Sequence, residues 1–133
     1  MAKISEAMLD LDRVDEGKWF PWVAGINLRI CSVNKPAYKQ HRDRLLRPHL
    51  RDLRAGRLSN EQIIDAVMPA VAQHLLVGWN IEDDDGKAVP YSPEKAMEYM
   101  RHPKLPDLCP FVLESAGETD AFRQELLEDA EKN

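Results

Sequence analysis

Trp79-Asn-Ile-Glu-Asp-Asp-Asp-Gly-Lys-Ala-Val-Pro-Tyr-Ser-Pro-Glu94 is the stretch on which the reading of this chain turns. Four consecutive acids, Glu82 to Asp85, run into Gly86, and Asp-Gly marks a turn because Gly tolerates positive φ. Trp79 and Ile81 precede the turn; Val89 and Tyr91 follow it. Ser92-Pro93-Glu94 then reads as an N-cap, a proline at the first helical position and an acid at the favourable end of the helix dipole. The stretch carries punctuation between two helices and no catalytic constellation, which directs the reading toward a binding or assembly protein.

Upstream of it, Ser59-Asn-Glu-Gln62 has the form of a capping box. Ile63, Ile64, Val67, Met68, Val71, Leu75, Leu76 and Trp79 follow at helical spacing. They predict a central buried helix over 63–79 with Ile63, Val67, Val71, Leu75 and Trp79 as its core, bent at Pro69. Downstream, a helix runs from Ser92 to about Arg101, with Met97 and Met100 or Tyr99 inward. Pro103 and Pro106 stop it. Asp107 caps a short helix holding Leu108, Phe111, Val112 and Leu113, which Gly117 ends. Glu118 to Asn133 reads as a last helix with Phe122, Leu126 and Ala130 inward.

Toward the N-terminus, Lys18–Val23 and Ile26–Val33 read as strands joined by an Ala24-Gly25 turn. Pro21 lacks a donor and marks an edge strand. Asn34 is the expected cap of a basic amphipathic helix, with Pro36 in its first turn. Tyr38, His41, Leu45, His49 and Leu53 form its apolar stripe, and Pro48 kinks or divides it. The fold class expected is α+β, mainly α: a short N-terminal β-hairpin followed by about five helices. Residues 1–14 read as a flexible or weakly helical lead. Residues 15–133 read as one domain, with the hairpin over 15–33 and the helical part over 34–133, interrupted by the acidic turn at 82–86.

A chain of 133 residues with 44% hydrophobic content can pack one core without disulfides or metal. No apolar run approaches the ~20 residues of a membrane span. Glu6, Asp10 and Asp12 argue against a secretory signal, and two widely separated cysteines, Cys31 and Cys109, read as free thiols of a reducing cytosol. The net charge of −5 is unevenly spread. Over 35–57, eight Lys or Arg face Asp43 and Asp52, about +6; over 80–133, fourteen acids face six bases, about −8. Two explanations stand: the basic and acidic parts attract each other, within the fold or between subunits, or each faces its own partner.

Catalytic and metal chemistry find little footing. Placing Gly86 at the sixth position of a calcium loop puts Ile81 first and Ser92 twelfth, neither a suitable charged ligand. His41, His49, His74 and His102 lack zinc spacing, no serine elbow or phosphate loop occurs, and no cofactor is implied. The basic helix over 35–57 is the rival signal, because spaced arginines such as Arg42, Arg47 and Arg51 can pair with phosphates or with an acidic protein partner. Trp19, Phe20 and Trp22 form the densest aromatic cluster. Trp19 and Phe20 face opposite sides of one strand, so either Phe20 or the Trp19/Trp22 side is left as an exposed interface candidate, or both faces are packed.

The order of these features resembles the tail assembly chaperones of long-tailed bacteriophages. The resemblance rests on Gly17-Lys18-Trp19 entering the β segment, Pro36-Ala37-Tyr38 before a basic helix, an apolar helix ending in Trp79, Pro90-Tyr91-Ser92-Pro93 after an acidic turn, and an acidic C-terminal helix. It covers about Asp15 to Asn133. It implies a non-enzymatic protein of the bacterial host cytoplasm that forms homo-oligomers, covers the apolar stripes of the phage tape measure protein and recruits tail tube protein. On that expectation the binding surface is the Trp19–Trp22 edge, the groove beside the 63–79 helix and the arginines Arg42, Arg47 and Arg51. The alternative is a small nucleic-acid-associated or regulatory protein using the basic helix.

Overall fold

The computed structural model describes residues 2–123. Its helices are α1 (Leu11–Glu16), α2 (Pro36–Leu46), α3 (Leu50–Arg54), α4 (Asn60–Ala70), α5 (Pro93–Met100) and α6 (Leu108–Ala116). Its strands are β1 (Lys18–Pro21), β2 (Asn27–Ile30) and β3 (Leu76–Trp79), in the order β1-β2-β3, antiparallel throughout. The class is α+β and mainly helical, with the hairpin at the N-terminus and five helices after it.

The hairpin closes at Ala24 and Gly25, both at positive φ (56° and 76°). That is the backbone a two-residue primed turn requires. Trp22 N donates to Ile26 O at 2.8 Å and Ile26 N to Val23 O at 2.9 Å, which completes it. β1 with its Pro21 is an edge strand.

The helix expected over 63–79 stops at Ala70, passes through a wide π turn at Val71–Leu75 and becomes β3. Pro69 removes a backbone donor near the helix end, and Gly78 in a helix would cost about 1 kcal/mol relative to Ala. Against this, β2 offers an unpaired edge, and a two-stranded hairpin alone is marginal. Pairing wins: Leu28 faces Trp79, Arg29 faces Gly78 and Ile30 faces Leu76, with a bulge between the last two pairs. Cys31 N also donates to Leu75 O at 2.8 Å.

The end of the π turn is tied down from downstream. The Tyr91 hydroxyl lies between two carbonyls, Ala72 O at 2.8 Å and Leu76 O, at the point where the chain leaves the helix. Burial, with Cys31 and Glu94 nearby, pushes the Tyr91 hydroxyl up to about 12, so it remains a donor. Trp79 packs edge-on against Tyr91 (5.0 Å between centroids) and against Tyr99 (5.5 Å), and its indole N–H donates to Val89 O at 2.7 Å. The acidic run is a turn: Asp83 Oδ1 accepts from Asp85 N and Lys87 N, both at 2.9 Å, and Gly86 has φ 79°.

The core lies between the inner face of the sheet and the helices. Leu28, Ile30, Leu76, Val71, Leu75, Met68, Ala96, Met100, Leu108 and Val112 are buried together. The Ser59–Gln62 capping box is formed, with Ser59 N donating to Gln62 Oε1 at 2.8 Å and Gln62 N to Ser59 Oγ at 3.2 Å. Ser92 caps α5 as its sequence predicts. Asn34 does not cap α2; Lys35 holds that position without a side-chain bond, because the Asn34 amide is drawn to Ser32 Oγ. Pro48 divides the basic helix at a 3-10 turn, Arg47–His49.

The lead is helical over α1 and packs on the body. Asp10 Oδ1 accepts from Asp12 N and Arg13 N, Val14 is buried, and Asp10 N donates to Phe122 O at 2.7 Å. Phe122 is buried on a 3-10 turn, Thr119–Phe122; the expected inward Leu126 and Ala130 lie outside the described residues. Trp79→Ala is expected to lower stability by roughly 3 kcal/mol, and Tyr91→Phe, which removes the single hydroxyl proton shared between the Ala72 and Leu76 carbonyls, by roughly 1–3 kcal/mol. Urea denaturation midpoints check both; an unchanged midpoint for Tyr91→Phe would remove the tie at Leu76.

Candidate interaction surface

Strand pairing sorts the aromatics of the hairpin. Phe20 faces Leu28 across β1 and β2, and Trp19 faces Arg29. Phe20 therefore shares the inner face, where its ring lies 6.1 Å from Phe122. Trp22, two residues on, keeps the same side and packs 6.3 Å from Phe111 of α6. The grouping of Trp19 with Trp22 fails because side chains three apart in a strand point to opposite faces. Phe20 and Trp22 are packed against the core, and Trp19 alone of the three is open, 51% exposed.

Trp19, Arg29 and Gly78 form one row across the outer face of the sheet. A Cβ on Gly78 would lie 3.4 Å from Arg29 Cβ and 3.8 Å from the far edge of the Trp19 ring. The indole thus reaches across β2 toward β3, into the space glycine leaves. Val23 at the hairpin tip is half exposed, and Ile4, Met8 and Leu11 in the N-terminal arm are exposed. Five of the six large apolar side chains left open among the described residues fall within residues 4–23; the sixth is Leu50. An alternation count finds Trp19 in the sequence, but the arm has no periodic strand or long helix to announce it.

The basic helix presents a second surface. Arg42 pairs with Asp43 at 3.0 Å and lies 5.8 Å over the Tyr38 ring, while Arg57 pairs with Asp52 at 3.0 Å. Arg44, Arg47, Arg51 and Arg54 follow at spacings of three and four, are exposed, and make no ion pair among the described residues. Of the expected binding arginines, Arg42 is thus engaged locally, and Arg47 and Arg51 are open. Val67, Val71 and Leu75 are buried, whereas Ile63 and Trp79 are half-buried.

Four further titratable groups, two thiols and two imidazoles, are buried or half-buried. Cys31 Sγ donates to Asp15 O at 3.2 Å and accepts from Lys35 Nζ at 3.7 Å; burial raises its thiol against the opposing pull of Lys35. Burial, with Asp65 nearby, pushes Cys109 up to about 12. Both thiols are free and buried. His41 and His74 stack edge-on at 5.2 Å, and His41 Nδ1 is enclosed without a partner among the described residues. Among those residues, no group of three or more His, Cys, Asp or Glu is arranged to hold a metal, and no helix is long and apolar enough to cross a membrane.

These features define a small α+β protein whose distinctive surfaces are exposed apolar side chains near the N-terminus and a basic helical arm. The family model of the YdaY prophage protein matches residues 33–133, from the end of the hairpin through α2 to the C-terminus, and the chain belongs to that family. It is a phage-derived protein. No curated protein and no solved structure matches it.

Trp22→Ser is expected to cost roughly 3 kcal/mol and Trp19→Ser less than about 1 kcal/mol, read from thermal or urea midpoints. Burial holds His41 and His74 below the ordinary 6.5, His41 also repelled by Arg44 and His74 by His41, Lys35 and Arg44. The unfolded chain then binds protons that the folded chain refuses, so stability is full above about pH 6.5 and falls as pH drops below it. A His41→Gln/His74→Gln variant is expected to flatten that slope in a urea titration series.

Proposed function

We propose that this prophage protein is a non-enzymatic tail assembly chaperone. It works in the host cytoplasm, binds the tape measure protein and helps recruit tail tube protein. The observation that carries the reading is that five exposed apolar side chains fall within residues 4–23 of the sequence, one of them a tryptophan on the outer face of the sheet. A monomer that leaves Ile4, Met8, Leu11, Trp19 and Val23 to water offers area to an apolar partner. A tape measure protein is long and helical with apolar stripes, and needs such cover before the tube encloses it. The phage origin of the family and the order of motifs from Gly17 to Pro93 support the same reading.

With Phe20 and Trp22 packed against the core, Trp19 and the exposed side chains of the arm are the contacts we propose. Apolar contact of this kind persists at high ionic strength, whereas phosphate contacts through the arginines would be lost. Co-expression with the tape measure protein of the same prophage, followed by affinity capture in low and high salt, tests the proposal. Salt-resistant co-purification that drops roughly tenfold or more in Trp19→Ser, with circular dichroism unchanged, is expected. Retention of nucleic acid in place of the tape measure protein would reject it.

A further inference from the structure

α3 and the turn before it bury none of their residues. Leu50 is 38% exposed, with Arg47, Arg51 and Arg54 around it on the same short helical arm. A helix of five residues has little intrinsic stability, and one that buries nothing gains little from packing. Its place in the fold is explained if another surface covers it.

A groove of about 590 Å³ runs between α4, the end of α5 and the start of α6. Met68 and Met100 form its floor, Ile64 a side, and Glu61 and Asp65, one turn apart on α4, its acidic rim. Methionines suit such a site because their unbranched chains adapt to an inserted side chain. Glu61 and Asp65 make no ion pair among the described residues. Arg101 stands on the opposite wall and would turn incoming arginines toward the Glu61–Asp65 side.

We infer that α3 of one copy docks in this groove of a second copy, reciprocally, as a two-fold dimer. Leu50 enters over Met68 and Met100, while Arg47 and Arg51 meet Glu61 and Asp65. The two surfaces lie side by side on each copy. A shallower depression between α3 and α4, lined by His49, Asp52 and Gln62 among others, shares Asp65 with the groove. Adjacent, complementary patches are what a self-complementary interface needs, since each residue pair then occurs twice. A phosphate polymer fits less well, because Glu61, Asp65 and Asp52 beside the arginines would repel it.

Sedimentation equilibrium of the full chain tests this at about 0.05 and 0.5 M salt. The wild type is expected to dimerise, with affinity falling as salt rises. Arg47→Glu/Arg51→Glu and Glu61→Lys/Asp65→Lys are each expected to weaken self-association roughly tenfold or more, with circular dichroism unchanged. Mixed one to one, the two variants should form a heterodimer, because both reciprocal contacts regain opposite charges. If Glu61→Lys/Asp65→Lys disturbs the fold, Leu50→Asp gives the same loss from the other side of the contact. A wild type that stays monomeric would overturn the inference. So would a dimer indifferent to these charges, or a monomer whose arginine face instead binds a short DNA duplex.

Discussion

The fold depends on one hand-over: the chain leaves a helix at Leu75 and joins a sheet at Leu76. A helix end exposes carbonyls that need partners. Here Cys31 N takes Leu75 O, and the Tyr91 hydroxyl serves the carbonyls of Ala72 and Leu76. Once β3 lies against β2, the hairpin has a third strand and one face covered by α4, α5, α6 and the π turn. The side chains of the opposite face are then fixed by the register. Trp19, Arg29 and Gly78 share that face, and its openness follows from the same pairing that stabilises the core.

The hand-over also explains the Pro-Tyr-Ser-Pro motif. Tyr91 reaches back to the helix end, Trp79 lies on Tyr91 and Tyr99, and Ser92 starts α5 one residue later. The acidic loop between them is held by Asp83, whose carboxylate accepts from two turn amides. The four acids are thus part of a loop that brings Tyr91 back to the start of β3. Charge on the rest of the surface is separated from this frame: the exposed arginines occupy α2 and α3, which pack outside the sheet.

Much of this was legible from residue order. The capping box at Ser59, the cap at Ser92, the Ala24-Gly25 turn and the break at Pro48 are local chemistry, readable because each needs only neighbouring residues. The error at Leu76–Trp79 is of another kind. Leu75, Leu76 and Trp79 fit a helical spacing as well as a buried strand, and periodicity cannot separate the two over a short run. The deciding factor was the unpaired edge of β2, about fifty residues earlier in the sequence. Trp22 was misplaced by parity, and Ile63, although in phase with Val67, sits only half-buried near the start of α4. The arginines of α3 and the acids of α4 were visible as charge, but their adjacency on one side of the molecule needed the fold.

The most direct test of the account uses the three tryptophans as reporters. Each indole N–H gives one resonance in a nitrogen–proton correlation spectrum. That of Trp79 is bonded to Val89 O, that of Trp22 belongs to a ring packed on Phe111, and Trp19 is open on the outer face. On addition of a soluble helical segment of the tape measure protein, the Trp19 resonance should shift or broaden while the other two hold their positions. Movement of Trp22 and Trp79 with Trp19 unchanged would contradict the account, because the partner would then lie against the core side of the sheet.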